Sequence, residues 1–177
     1  MHTFELEESG GRELIQGLNL TSSFSIHSDT NSIYRGYNEN GEIYLSGPSS
    51  IGSKFIPISP TGKIYYYDIE ISADSDNVHY IGFERYDAIK TSTSNHSCVY
   101  PISSSIAQDH VRYKGIIDLS TDLNGNPTAF IALRILNDWS NGTTRKMTIH
   151  HLSLREVTTL QNQKVNKNGI LLTDEFR

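Results

Sequence analysis

A chain of 177 residues with 15 Lys+Arg against 20 Asp+Glu, net charge −5, has the size of one domain with short attachments. Its mild acidity and lack of a basic run exclude nucleic-acid binding driven by phosphate neutralisation. Apolar runs such as Ile170-Leu171-Leu172 fall far short of the roughly 20 residues a membrane-spanning helix takes, so no membrane insertion is expected.

Residues 1–21 are acidic and glycine-punctuated, with one amphipathic hint at Leu14-Ile15 and Leu18; they read as an N-terminal arm rather than core. The first residues, Met1 to Glu8, carry neither the basic nor the apolar region of a signal peptide, so none is expected. From about residue 22 the apolar period is two. Phe24, Ile26 and Ile33 alternate with polar residues, and Ile43-Tyr44-Leu45 sits between the turn dipeptides Asn40-Gly41 and Gly47-Pro48. Pro57 makes Phe55-Ile56-Pro57-Ile58 an edge strand or a strand end.

Lys63 to Ile71 is the strongest strand, because its tyrosines and isoleucines suit a pleated surface. Its Tyr65-Tyr66-Tyr67 run must place members on opposite faces, either Tyr66 or the other two being core. In Val78 to Asp87, Tyr80 and Gly82 share one face while His79, Ile81 and Phe83 share the other. Thr91 to Ser97 is a loop, and residues 98–110 hold at most a short strand around Cys98-Val99-Tyr100. Val111–Leu119 and Thr128–Leu136 read as two strands joined hairpin-fashion through Asn124-Gly125. Met147 to Leu154 is the last long strand. Short strands spaced by turns, with hardly a helical segment, describe an all-β sandwich or barrel over residues 22–157. Residues 158–177 form a polar linker and a C-terminal segment ending Ile170-Leu171-Leu172-Thr173-Asp174-Glu175-Phe176-Arg177.

Two features resemble a known group. The Tyr65-Tyr66-Tyr67 strand, the Tyr80-Ile81-Gly82-Phe83 and Tyr86-Asp87 segment, the Trp139 loop and the closing strand Ile149 to Val157 resemble jelly-roll carbohydrate-binding modules. The likeness is strongest to divergent versions in bacteriophage tail, baseplate and head-fibre proteins. The tail from Val165 to Phe176 looks like a segment that follows such modules in phage structural proteins. The resemblance implies an antiparallel β-sandwich of jelly-roll type in a non-enzymatic virion protein, made in the host cytoplasm and displayed at the virion surface. It implies other virion proteins as partners, a host glycan as ligand, and often a trimer. A structural calcium is common in such modules, but no ligands for one are assigned here. An Ile170-Leu171-Leu172 strand without a partner in the domain, with Phe176 beside it, invites addition to another subunit's sheet.

Sugar binding needs flat apolar faces for pyranose C–H groups and planar amides, carboxylates or guanidinium groups for hydroxyls. The segment Asn137-Asp138-Trp139-Ser140-Asn141-Gly142 offers both, although Trp139 capping the sandwich is an equally physical reading. Arg85, Tyr86 and Asp87 form a second candidate, against the plainer reading that Arg85 and Asp87 pair across the sheet surface. No metal site is expected. His150 and His151 are adjacent, so on a regular strand they point to opposite faces. Asp122 to Asn126 lacks the spacing of a calcium loop, and one cysteine, Cys98, excludes a disulfide or a cysteine-cluster zinc site. No nucleophile motif or phosphate loop occurs, so no catalytic residue is assigned. Two other classes stand behind the virion reading: a carbohydrate-binding module of a bacterial polysaccharide-utilisation system, and, last, a small glycan-active enzyme.

Overall fold

The computed structural model describes residues 13–15, 24–27, 34–47, 49–53, 55–58, 64–74, 79–89, 98–121, 125–137 and 145–157. Among them every regular element is a strand: β1 Phe24–His27, β2 Tyr34–Tyr37, β3 Ile43–Ser46, β4 Ser49–Ser53, β5 Ile56–Pro57 and β6 Ile64–Ala73. These are followed by β7 His79–Tyr86, β8 Cys98–Ser104, β9 Gln108–Asp118, β10 Phe130–Asn137 and β11 Lys146–Val157. One antiparallel sheet runs β1-β4-β10-β7-β8, with the two-residue β5 also on β10; the other runs β2-β3-β11-β6-β9. The expected sandwich is therefore present, and Pro57 does sit in a minimal strand that pairs with β10 alone.

Alternation decides what lies between the sheets. Ile81 and Phe83 on β7, and Ile131, Leu133 and Ile135 on β10, face Tyr65, Tyr67, Ile69 and Ile71 on β6 and Met147, Ile149, Leu152 and Leu154 on β11 in one apolar core. The tyrosine run resolves with Tyr65 and Tyr67 inside. Tyr66 faces outward, yet all three are buried, so they offer no exposed row. Tyr67 leans over Gly115, its cross-strand neighbour on β9. A Cβ at Gly115 would lie 2.4 Å from the Tyr67 hydroxyl, so glycine makes the space that the ring fills.

Three local expectations are corrected. β9 and β10 are not a hairpin: β9 pairs with β6, whereas β10 pairs with β4, β5 and β7 in the opposite sheet. A Thr121↔Pro127 bridge, with Gly125 at φ 83°, stands at the crossing from one sheet to the other. The segment around Tyr100 is a full strand, and β9 begins soon after it, at Gln108.

The N-terminal arm contributes core. Leu14 and Ile15 are 6% and 2% exposed, and Leu14 N–H donates to Leu154 O at 2.8 Å. This docking is open to the arm because β3 pairs with β11 only over Lys146–Ile149. The Glu13 carboxylate accepts from Ile15 N–H, Leu154 N–H, Arg155 Nε and the Ser153 hydroxyl, which fixes the segment on the strand.

The two adjacent histidines do not point apart either. A bulge leaves His150 as an extra residue between the Ile149↔Ile71 and His151↔Glu70 pairs. Both rings thereby reach groups on the outer surface, His150 at Glu42 and His151 near Asp68.

Candidate functional site

The outward face of the β1-β4-β10-β7-β8 sheet gathers the aromatic and charged side chains that a flat polar ligand requires. On β7 the outward positions are Tyr80, Gly82, Glu84 and Tyr86; on β10 the residues opposite them are Leu136, Arg134, Ala132 and Phe130. Tyr86 packs edge-on against Phe55, with ring centroids 4.7 Å apart and planes at 85°, and Phe55 meets Phe130 at 6.2 Å. Phe55 is 43% exposed, an unusual state for a phenylalanine unless it serves a surface. At the other end of β7, Tyr80 and Tyr100 lie with centroids 5.4 Å apart.

Tyr100 reaches this face through a second irregularity. Val99 pairs with Phe83 and Ile102 with Ile81, so Gly82 stands opposite two residues, Tyr100 and Pro101. A Cβ at Gly82 would fall 2.4 Å from Val99 O and 2.6 Å from the Tyr100 ring, so only glycine lets the tyrosine lie down over the sheet. Arg134 sits between Gly82 and Gly52 as cross-strand neighbours, a row with one long side chain. Its guanidinium Nη1 donates to Glu84 Oε2 at 3.2 Å. The pair thus stands between the two aromatic clusters as a fixed donor–acceptor unit.

Burial makes Tyr86, Tyr100 and Cys98 on this face harder to ionise. Burial, followed by the neighbouring Glu84 carboxylate, raises the Tyr86 pKa; burial and Cys98 raise that of Tyr100. The Cys98 thiol, opposite Glu84 on β8, is pushed by burial up to about 11, so it is an inert neighbour rather than a nucleophile.

Of the glycan candidates singled out from the sequence that are among the described residues, Tyr86 is the one the structure brings to this face. Arg85 points the other way: it is 2% exposed and its Nη1 donates to Thr121 O at 2.8 Å, pinning the β9–β10 crossover from inside. A side chain so buried is not presented to a ligand on the outer face. Asp87 accepts from Ile89 N–H at 3.0 Å and shapes the turn after β7. Asn137 is fully buried, and its amide donates to Gly47 O and Arg145 O, tying strand ends of both sheets together. Asp138 and Trp139 lie outside the described residues, as do Asp122, Ile170, Leu171, Leu172 and Phe176. The sequence reading missed Phe55, Glu84, Tyr100, Phe130 and Arg134 as site residues. The period-two set Phe130-Ala132-Arg134 was a visible signal; the β8 bulge that delivers Tyr100 was not.

The opposite outer face is charged rather than aromatic. Asp68 takes a two-pronged contact from Arg112 Nε and Nη2, both at 2.7 Å, with Lys114 Nζ at 3.8 Å. Burial would raise its pKa, but the Arg112 hydrogen bonds outweigh that and hold the carboxyl below its ordinary value. Among the described residues no group of three or more His, Cys, Asp or Glu is arranged to hold a metal ion.

No protein-family model matches the chain, and no curated protein matches it in sequence. Solved structures do match in fold. A CBM4 module aligns over 76% of this chain and 95% of its own, with TM-score 0.51 and 9% identity. A CBM61 module solved with β-1,4-galactotriose aligns over 81% of this chain and 97% of its own, with TM-score 0.51 and 7% identity. The CBM22-1–GH10 portion of a Clostridium thermocellum xylanase aligns over 86% of this chain and 29% of that longer one, with TM-score 0.50 and 12% identity. The fold is thus the jelly-roll β-sandwich of carbohydrate-binding modules. Nothing in these likenesses indicates a bacteriophage fibre.

Proposed function

We propose that the chain is a carbohydrate-binding module that holds a glycan against the outer face of the β1-β4-β10-β7-β8 sheet without turning it over, as part of a polysaccharide-degrading system. The observation that carries the reading is the arrangement of two aromatic clusters, Phe55-Tyr86-Phe130 and Tyr80-Tyr100, on either side of the Arg134–Glu84 pair. Aromatic surface offers an apolar bed to sugar C–H groups, while a guanidinium–carboxylate pair both donates to and accepts from hydroxyls. Tyr80 and Tyr86 are six residues apart on one strand, a span of roughly 20 Å at ordinary strand rise, long enough for several sugar units. Glu84 is committed to Arg134, which suits gripping a ligand rather than transferring protons. The jelly-roll likeness supports the reading through the fold alone.

The test is calorimetric titration of the full chain with a panel of soluble plant and bacterial polysaccharides, then repeated with Tyr86→Ala, Tyr100→Ala and Arg134→Ala. The expected result is binding by the parent protein and a tenfold to hundredfold loss in each variant, about 1.4–2.8 kcal/mol, with melting temperatures little changed. A polysaccharide that binds all four proteins equally would remove this face from the account. A panel without a single binder would remove the glycan reading itself.

A further inference from the structure

Two histidines, two glutamates and a serine collect where β9 begins, on the opposite side of the sandwich from the aromatic face. β6 is flanked there by two bulges, one in each neighbouring strand. In β11 the extra residue is His150; in β9 the register jumps from Ala73↔Gln108 to Ile71↔Val111, so Asp109 and His110 together face Ser72. Bulges re-aim side chains out of the ladder, and here both do so at one point. The two imidazole rings lie flat on each other, with centroids 3.9 Å apart and planes at 13°.

Each ring is held at its Nδ1 by a carboxylate. His150 Nδ1 donates to Glu42 Oε1 at 2.6 Å, and His110 Nδ1 donates to Glu70 Oε1 at 2.8 Å. Ser72 Oγ lies 2.8 Å from His150 Nε2 and accepts from His110 N–H at 2.9 Å. One connected group therefore runs from Glu42, just before β3, through β11 (His150) and β6 (Ser72, Glu70) to the edge strand β9 (His110). His110 also has φ 50°, a left-handed backbone that a residue other than glycine keeps only when its surroundings insist.

We propose that the stacked His110–His150 pair, with Glu42 and Glu70, is a proton-operated clasp that fastens the start of edge strand β9 to the rest of its sheet. With both rings neutral, two carboxylates face two uncharged donors. A proton on the pair turns a hydrogen bond with one ionised partner into an ion pair and offsets negative charge from Glu42, Glu70 and Asp109. Of the other charges on this face, Arg112 stands opposite Glu70 in the ladder with its guanidinium on Asp68, and Lys114 Nζ and His151 Nε2 also lie by Asp68, at 3.8 and 3.9 Å. A second proton would bring two cations face to face at stacking distance, so the stacked pair holds one proton in preference to two. The Glu70 hydrogen bond raises the pKa of His110, the direction that such a clasp requires. It therefore tightens as pH falls into the histidine range and loosens as pH rises through it.

The region it secures is specific. Gln108, two residues before His110, bonds the buried His79 through Nε2 at 3.1 Å. A tight β9 start thus also anchors the corner where β7 begins and β8 ends. The reading needs no glycan, so its failure would leave the aromatic face untouched.

The experiment is a pH titration of the histidine ring signals by NMR on the full chain, with hydrogen-exchange protection of the β9 amides measured at pH 5.5 and pH 8. The expected outcome is mutually dependent, two-step titration of His110 and His150, with protection of the Asp109–Arg112 amides several-fold higher at the lower pH. Glu70→Gln should move the His110 midpoint down, and His110→Asn, which tolerates the left-handed backbone, should abolish the pH dependence while the sandwich persists. Two independent titrations, or protection factors that are equal at both pH values, would overturn the clasp. So would pH dependence that survives His110→Asn.

Discussion

At the residue scale, Gly82 is the position on which the aromatic face turns. Its missing side chain is the bed for Tyr100, and a methyl group there would strike the Val99 carbonyl, which is backbone and cannot swing aside. Gly82→Ala should therefore cost about 1–3 kcal/mol of stability, the range for forcing extra atoms into a filled space, and should lift Tyr100 off the sheet. Chemical denaturation reads the first effect and glycan titration the second; a stable, fully binding variant would show that the Tyr100 position is irrelevant. Single residues were also where the sequence was most and least legible. Alternation put Ile81 and Phe83 on one face and Tyr80 on the other, as found, because a two-residue period needs no knowledge of partners. For Arg85 the rule held, and the error lay in taking the side chain for a surface one. It shares the inward row with His79, Ile81 and Phe83, and an arginine invites a surface reading until the Thr121 carbonyl that receives it is known. Asn137 misled in the same way: a polar loop residue by sequence, it is a fully buried tie by structure.

At the scale of elements, partners rather than propensities separate expectation from structure. Strand segments were legible because β-branched and aromatic residues alternate in them. Which sheet each strand joins was not, because Asn124-Gly125 marks a turn whether the chain returns beside itself or crosses to the other layer. The bulges at Tyr100, His110 and His150 were invisible for a related reason: each is a mismatch between two strands, and one strand's sequence does not contain it. The N-terminal arm shows the same dependence. Leu14 and Ile15 look like a weak amphipathic hint, but β11 presents an open side beyond its β3 pairing, and Glu13 fills it. Glu13→Ala would leave the backbone N–H of Leu154 without this acceptor, so the expected loss is about 1–3 kcal/mol in a denaturation series, with Glu13→Gln retaining part of it. A change below about 0.5 kcal/mol, the scale of ordinary surface substitutions, would mean that the arm is an ornament on the sandwich.

At the scale of the whole molecule, the two outer faces divide the chemistry: aromatic and weakly charged on one sheet, histidine- and carboxylate-rich on the other. The described residues of both faces lie before residue 158, and β11, the last described strand, ends at Val157 in the centre of its sheet. Every strand pairing described is complete without the tail, so a chain ending at Val157 should melt within a few degrees of the full chain and bind the same polysaccharide. Its solution mass by light scattering decides between the two large-scale readings of the sequence. Equal oligomeric states for full and shortened chains fit a module that works through its own surface. A full-length trimer that becomes a monomer on shortening would make Ile170, Leu171 and Leu172 an assembly strand. The sandwich would then be a displayed domain whose aromatic face is multiplied threefold, where even weak individual contacts with a repeating glycan add up to tight attachment.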